Sequence, residues 1–324
     1  MARLLIHIGS QKTGSTSIQT FLTTHPEKLQ ACRLNYVKAG RGPSAHNRVA
    51  RILQANPQKC DRILARIVRE VDGAPDDRHI LSSEMFFSRG WARKFQHSLP
   101  EHMQRDAKVI VYLRRQDAFL EAMYKQVVKT GRFQGSPADY AAKKQRALRY
   151  STVVDAFADV FGAEAITLIP YEKQQLHEGD SVLDFAARIG LAGIGRDDLA
   201  ARRSNITLSR EVSEILGLLA RTTDANIAVL IRTLIENGGP DVRKSGDCYL
   251  ISERREIMEG FAADNAALCA RYRPDLSDLF DLSDLSATIP DAPLAADERM
   301  RRLQAAQLAV MTALGETHAL EFRE

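Results

Sequence analysis

Four short apolar runs punctuate the first 170 residues, Arg3–Ile8, His79–Ser82, Lys108–Leu113 and Ala165–Ile169, and none follows them. They are rich in Leu and β-branched residues and mostly continuous rather than alternating. A strand that is apolar on both sides must be covered on both faces, which is the situation of a parallel sheet between helices. The intervening stretches carry helical spacing instead. Ile18, Phe21 and Leu22 form one stripe; Ile63, Leu64, Ile67, Val68 and Val71 a second; Phe119, Met123 and Val127 a third. Val182, Phe185, Ala186 and Ile189 form a fourth, with Gly190 as its stop. This β-α-β order predicts an α/β fold.

After about residue 203 only amphipathic helical patterns remain: Val212/Ile215/Leu216/Leu219, Ile227/Leu230/Leu234, Ile257/Phe261/Leu268 and Met300/Leu303/Val310/Leu314. Ser209 is placed to cap the first of them. The chain therefore reads as an α/β core over residues 1–203 and a helical C-terminal subdomain over 204–324. No apolar run reaches the roughly 18 residues of a membrane span. The cysteines, Cys32, Cys60, Cys248 and Cys269, show neither CxxC pairing nor histidines at zinc-finger spacing, so no metal is expected and a reducing cytoplasm is the simplest setting.

Net charge is only +4, but it is unevenly spread. Residues 1–150 hold 27 basic and 12 acidic side chains, and the remainder 18 and 29. The first half is thus suited to an anionic ligand. Nucleic acid is one candidate, but the basic residues are scattered and little interleaved with aromatics, and a small polyanionic cofactor fits equally well.

The segment that follows the first run is Gly9-Ser10-Gln11-Lys12-Thr13-Gly14-Ser15-Thr16-Ser17. A strand enters a glycine-bounded turn and leaves it as a helix, so backbone N–H groups and a helix N-terminus face one point and make an anion cradle. Against the nucleoside-triphosphate pattern G-x-x-x-x-G-K-[ST], Gly9, Gly14 and Thr16 are in register, but Ser15 stands at the lysine position. Lysine is found inside the turn, as Lys12. The sheet is P-loop-like, yet the change counts against a nucleotide kinase.

This GxxKTGST pattern resembles the phosphosulfate loop of sulfotransferases that use 3′-phosphoadenosine 5′-phosphosulfate (PAPS), in a bacterial, carbohydrate-type style. Other segments resemble the family in order. Val109–Leu113 ends in Arg114-Arg115, and Tyr124 falls where the 3′-phosphate segment has its tyrosine; Ala122 replaces that segment's serine. Tyr171-Glu172 and the helix after it resemble the stretch whose tyrosine lies beside adenine. The resemblance covers residues 3–23, 79–84, 108–130 and 165–191. It implies PAPS as donor, adenosine 3′,5′-bisphosphate as product and no metal. It also implies cofactor contacts from Gly9, Gln11, Lys12, Thr13, Gly14, Ser15, Thr16, Ser17, Arg114, Arg115 and Tyr171. Arginine suits a phosphate monoester because its guanidinium donates two parallel hydrogen bonds.

Sulfuryl transfer needs a base for the acceptor, alignment, and a counter-charge for the leaving phosphate. Lys12 is expected to supply the last. The Ser82-Ser83-Glu84-Met85-Phe86-Phe87 segment resembles the stretch whose glutamate serves as base in carbohydrate sulfotransferases, which nominates Glu84. His46 is the second candidate for base or acceptor contact, and Phe86 is expected to line the acceptor site. The acceptor class implied is a carbohydrate or similar small hydroxyl compound, less readily an amine. The rival readings are a kinase with an atypical loop and a non-catalytic binder of anions or nucleic acid.

Overall fold

The four apolar runs become strands, and a shorter fifth joins them. The computed structural model describes residues 3–199, 207–239, 242–244, 246–286, 288, 291 and 296–321. Strands β1 (Leu4–Gly9), β2 (Leu34–Tyr36), β3 (Arg78–Ser82), β4 (Ala107–Leu113) and β5 (Ile166–Pro170) form one sheet in the order β2-β3-β1-β4-β5. Every pairing is parallel, so the α/β class is as the sequence implies. β1 lies at the centre, with Leu4 opposite His79 on one side and Ala107 on the other. Its register with β4 slips between His7 and Gly9, where the chain leaves the ladder and the glycine turn begins. The three residues of β2 are too few to show a pattern in the sequence.

The helices are α1 (Ser15–Thr24), α2 (Pro26–Ala31), α3 (Asn47–Ala55), α4 (Pro57–Asp72), α5 (Arg89–Ser98), α6 (Glu101–Arg105), α7 (Gln116–Val128), α8 (Pro137–Lys144) and α9 (Ser151–Phe161). They continue with α10 (Ser181–Arg188), α11 (Arg210–Thr222), α12 (Ile227–Asn237), α13 (Ile251–Glu259), α14 (Ala262–Tyr272) and α15 (Ala296–Glu321). The chain divides into two compact units, neither of them continuous in sequence. The first comprises 1–115, 149–201 and 262–280; the second comprises 116–148, 202–261 and 281–324. A single cut after residue 203 is therefore too simple a description, and that junction itself lies outside the described residues. The stripe through Ile257, Phe261 and Leu268 is two helices, broken at Gly260-Phe261, and α14 belongs with the sheet.

In the first unit, Leu5, Ile80, Ile110, Tyr112 and Ile169 of the sheet pack on Ile18, Phe21 and Leu22 of α1 and on Val182, Phe185 and Ala186 of α10. Alternate strand residues, Val109, Val111 and Leu113, point to the other face, where α9 lies along β4 and β5. There Phe157 and Phe161 of α9 meet Phe95 of α5, ring centres 6.4 Å apart in each case. Burying each such side chain contributes about 1.5–3 kcal/mol.

The second unit has its own core, made by Val212 and Leu216 of α11, Leu230 and Leu234 of α12, and Ala306, Val310 and Ala313 of α15. Ser209 accepts from the Val212 N–H, the cap expected from the sequence. In α7 the deeply buried residues include Asp117, Glu121, Tyr124 and Lys125, while Phe119, Met123 and Val127 are only half-buried. The charges are paired rather than exposed. Arg254 bonds Asp117 at 2.9 Å and also Glu121, and Lys125 reaches Glu121 at 3.2 Å and Asp247 at 2.5 Å. Among the described residues, Glu121, Asp247 and Cys248 bring potential metal-ligand atoms within 4.8 Å of one another, but Lys125 already occupies both carboxylates.

Candidate functional site

Four segments leave the carboxyl ends of neighbouring strands in the first unit: the glycine turn after β1, Ser83-Glu84 after β3, Arg114 after β4 and Tyr171 after β5. The carboxyl edge of an open parallel sheet is where such folds bind ligands.

The turn is built from inside. Ser10 donates its N–H to the Tyr112 carbonyl at 2.7 Å, tying the loop to β4. The Ser10 carbonyl then accepts from the Thr13 hydroxyl at 2.6 Å and the Ser15 hydroxyl at 3.2 Å. Thr13 and Ser15 are buried, and their side chains shape the turn from within. Gly9 and Gly14 have φ of +95° and +78°, and Lys12 shares the left-handed region at +64°. At Gly14 a side chain would run into Ser181 Oγ at 2.3 Å and would lie 3.4 Å from the Tyr171 hydroxyl, so α10 and Tyr171 close against the turn.

The first turn of α1 has no side-chain cap and no acidic residue. Its N–H groups at Ser15, Thr16 and Ser17 have no carbonyl one turn back within the helix. The helix dipole adds partial positive charge at the same point, and Lys12 lies on the loop just before it. These residues fit a phosphate or phosphosulfate group. Gln11 and Thr16 are exposed, and Lys12, Ser17 and Arg114 are half-buried. Arg114 donates to the Lys12 carbonyl at 3.2 Å, and its own carbonyl accepts from Tyr150 at 2.8 Å. Lys12 and Arg114 are thus brought together. Arg115 is half-buried just past β4. Tyr171 is half-buried and donates its N–H to the Leu113 carbonyl at 2.7 Å.

Glu84 comes up on the opposite side of Gly9. A Cβ on Gly9 would lie 2.8 Å from the Glu84 Cα, a contact that only glycine permits. The two carboxylate oxygens are held separately. Oε2 accepts from Gln19 Nε2 and Oε1 from Asn47 Nδ2, both at 2.9 Å. Two adjacent serines anchor these amides: Gln19 Nε2 also donates to Ser82 Oγ at 3.3 Å, and Asn47 Oδ1 accepts from Ser83 Oγ at 2.5 Å. Ser82 Oγ lies 2.8 Å from His7 Nδ1.

His46 and Phe86 are placed differently from what the sequence implies. His46 is fully buried, and its Nδ1 accepts the Ser82 N–H at 3.2 Å. Burial lowers its pKa to about 4, and does the same to His7. Phe86 is also fully buried, 4.6 Å from Trp91 and 5.2 Å from Phe95 between ring centres, and so packs the core. Sequence reasoning misses Gln19, Asn47, Ser82 and Ser83. The one signal was Gln19 itself, a polar residue between Ile18 and Phe21 in the buried part of α1.

No protein-family profile matches the chain. An uncharacterized protein of Archaeoglobus fulgidus is 30% identical over 177 residues, 52% of this chain and 46% of that relative. The match thus spans less than half of the relative's length. Among solved structures, a sulfotransferase from Alicyclobacillus acidocaldarius aligns with a TM-score of 0.42 and 18% identity, over 86% of this chain and 98% of the other. Among the described residues no helix is long and apolar enough to cross a membrane.

Proposed function

We propose that the protein moves a sulfuryl group from PAPS to a hydroxyl of a carbohydrate or similar small acceptor. One observation carries the reading: Glu84, whose carboxylate accepts from two neutral amides, packs its backbone directly against Gly9, where the glycine turn begins. PAPS, when bound, supplies the activated sulfuryl group and leaves as adenosine 3′,5′-bisphosphate. The protein's part is positioning and charge, as in phosphoryl transfer.

Backbone N–H groups of Ser15–Ser17 and the Lys12 ammonium stabilise negative charge at the turn. Well-aimed donors of this kind contribute about 3–4 kcal/mol each to a transition state. Arg114, tied to the Lys12 carbonyl, suits a second phosphate beside the first. Glu84 takes the proton of the acceptor hydroxyl at one carboxylate oxygen, a role worth about 10²–10⁴-fold in rate. Tyr171, near Gly14, offers a ring face to the base of the nucleotide.

Calorimetry against adenosine 3′,5′-bisphosphate, ATP with magnesium, and GTP tests the cofactor. Binding of the bisphosphate alone, with release of sulfate from PAPS to sugars or phenols, is the expected outcome. Preference for ATP with magnesium would return the kinase reading. Salt-sensitive binding of mixed oligonucleotides, with no response to PAPS, would favour a nucleic-acid binder.

A further inference from the structure

Each oxygen of the Glu84 carboxylate accepts a hydrogen bond from a different primary amide, Oε2 from Gln19 and Oε1 from Asn47. The arrangement is specific in its chemistry. Gln19 and Asn47 face a carboxylate, so each must present NH₂ rather than its carbonyl. Consecutive residues of extended chain point to opposite sides, and Ser82 and Ser83 accordingly reach opposite amides. Ser82 serves Gln19 on α1, and Ser83 serves Asn47 at the first position of α3. The Asn47 oxygen accepts from Ser83, and Ser83 accepts in turn from the Met85 N–H at 3.1 Å, which fixes the orientation of this arm. Gln19 and Ser83 are buried and Asn47 is half-buried, so both arms are shielded from water.

We infer that Gln19 and Asn47 are positioning residues for Glu84: they hold its carboxylate in one rotamer, with a lone pair on each oxygen left to accept a proton. This rests on the proposed role of Glu84 as base. An amide suits the task because it carries no charge at any working pH. A lysine or arginine in its place would neutralise the base, and a hydroxyl offers one proton where Gln19 needs two, for Glu84 and for Ser82. A carboxylate turned by even one rotamer loses the alignment on which proton transfer depends.

The test uses Gln19→Met and Asn47→Leu, each close in size to the original but without donors. Two variants on separate helices keep the test decisive if one fails to fold. Without any cofactor, the side-chain NH₂ resonances of Gln19 and Asn47 in ¹⁵N-labelled protein should move when Glu84 is replaced by Gln. With PAPS as donor, and water, monosaccharides and phenols as acceptors, each variant should lose at least tenfold in kcat. KM for PAPS and affinity for adenosine 3′,5′-bisphosphate should stay within twofold. In a Glu84→Gln background the same substitutions should cause no further loss, because they act only through Glu84.

A full kcat in both variants while Glu84→Gln is inactive overturns the positioning role and leaves the base assignment standing. Equal losses with and without Glu84 also overturn it, since they indicate a merely structural effect. A fully active Glu84→Gln, or no turnover of PAPS by the unmodified protein, removes the functional reading and this inference with it.

Discussion

Gly9 and the backbone of Glu84 touch so closely that the start of the glycine turn and the candidate base form one junction. An alanine at position 9 would need φ of +95° and would place its methyl 2.8 Å from the Glu84 Cα. The backbone conformation alone costs about 1–2 kcal/mol for a residue with a side chain. We expect Gly9→Ala to lose at least that much stability in urea unfolding. It should also weaken adenosine 3′,5′-bisphosphate binding and turnover together. Loss of only one of the two functions would show that the junction is not shared.

Lys12 and Arg114 should act as a coupled pair. A hydrogen bond to a charged group contributes about 1.5–3 kcal/mol, so Lys12→Ala and Arg114→Ala are each expected to weaken bisphosphate binding roughly 10–100-fold by calorimetry. Because both side chains would hold charges on one bound ligand, the double variant should lose less than the sum of the two. Strict additivity, or unchanged affinity in either single variant, counts against a shared site.

Acid should destabilise the first unit through His7 and His46. Burial lowers both from an ordinary 6.5 to about 4, so the folded state keeps them neutral while the unfolded chain takes up protons below about 6.5. The unfolded state then binds more protons, and stability falls as pH drops from about 6.5 toward 4. Each histidine should account for about 2–3 kcal/mol by pH 4.5. Urea unfolding at pH 7 and 4.5 should show this loss, and a His7→Gln/His46→Gln protein should show a flatter profile between the two. An unaltered slope in that variant would assign the acid sensitivity to other groups.

In the second unit, Arg254 balances Asp117 and Glu121 in a place with little access to water. Removing one partner of a buried ionic group strands the others, at a cost of about 3–5 kcal/mol. Arg254→Met should therefore unfold at markedly lower urea concentration. Adding Asp117→Asn and Glu121→Gln should recover part of the loss, since no stranded charge then remains.

The sheet was legible because its strands are uninterrupted apolar runs, a pattern that surface strands do not show. Loop position was legible too, since a glycine pair between a strand and a helix has few alternatives. The stripe Phe119, Met123 and Val127 correctly marks α7 as a helix but not its buried side: these three are half-buried, and Asp117, Glu121 and Lys125 are buried beside Leu120, Tyr124 and Val128. Periodicity reports hydrophobicity and is blind to charges that are buried in pairs. His46 was nominated for its chemistry and Phe86 for standing beside Glu84, yet both are interior residues. The amides at Gln19 and Asn47 went unread because each lies far along the chain from Glu84, and only folding brings them to it.

The division of the chain has a practical consequence for anyone wishing to isolate the unit that holds the sheet. Polypeptide passes from one unit to the other five times, so no simple truncation yields either alone. A fragment stopping at residue 201 would lack α14, which lies against β5 and α9 and holds the Ser151 hydroxyl through Asp264. The face of β5 that α14 covers would then be exposed, and such a fragment should aggregate more readily than the whole chain.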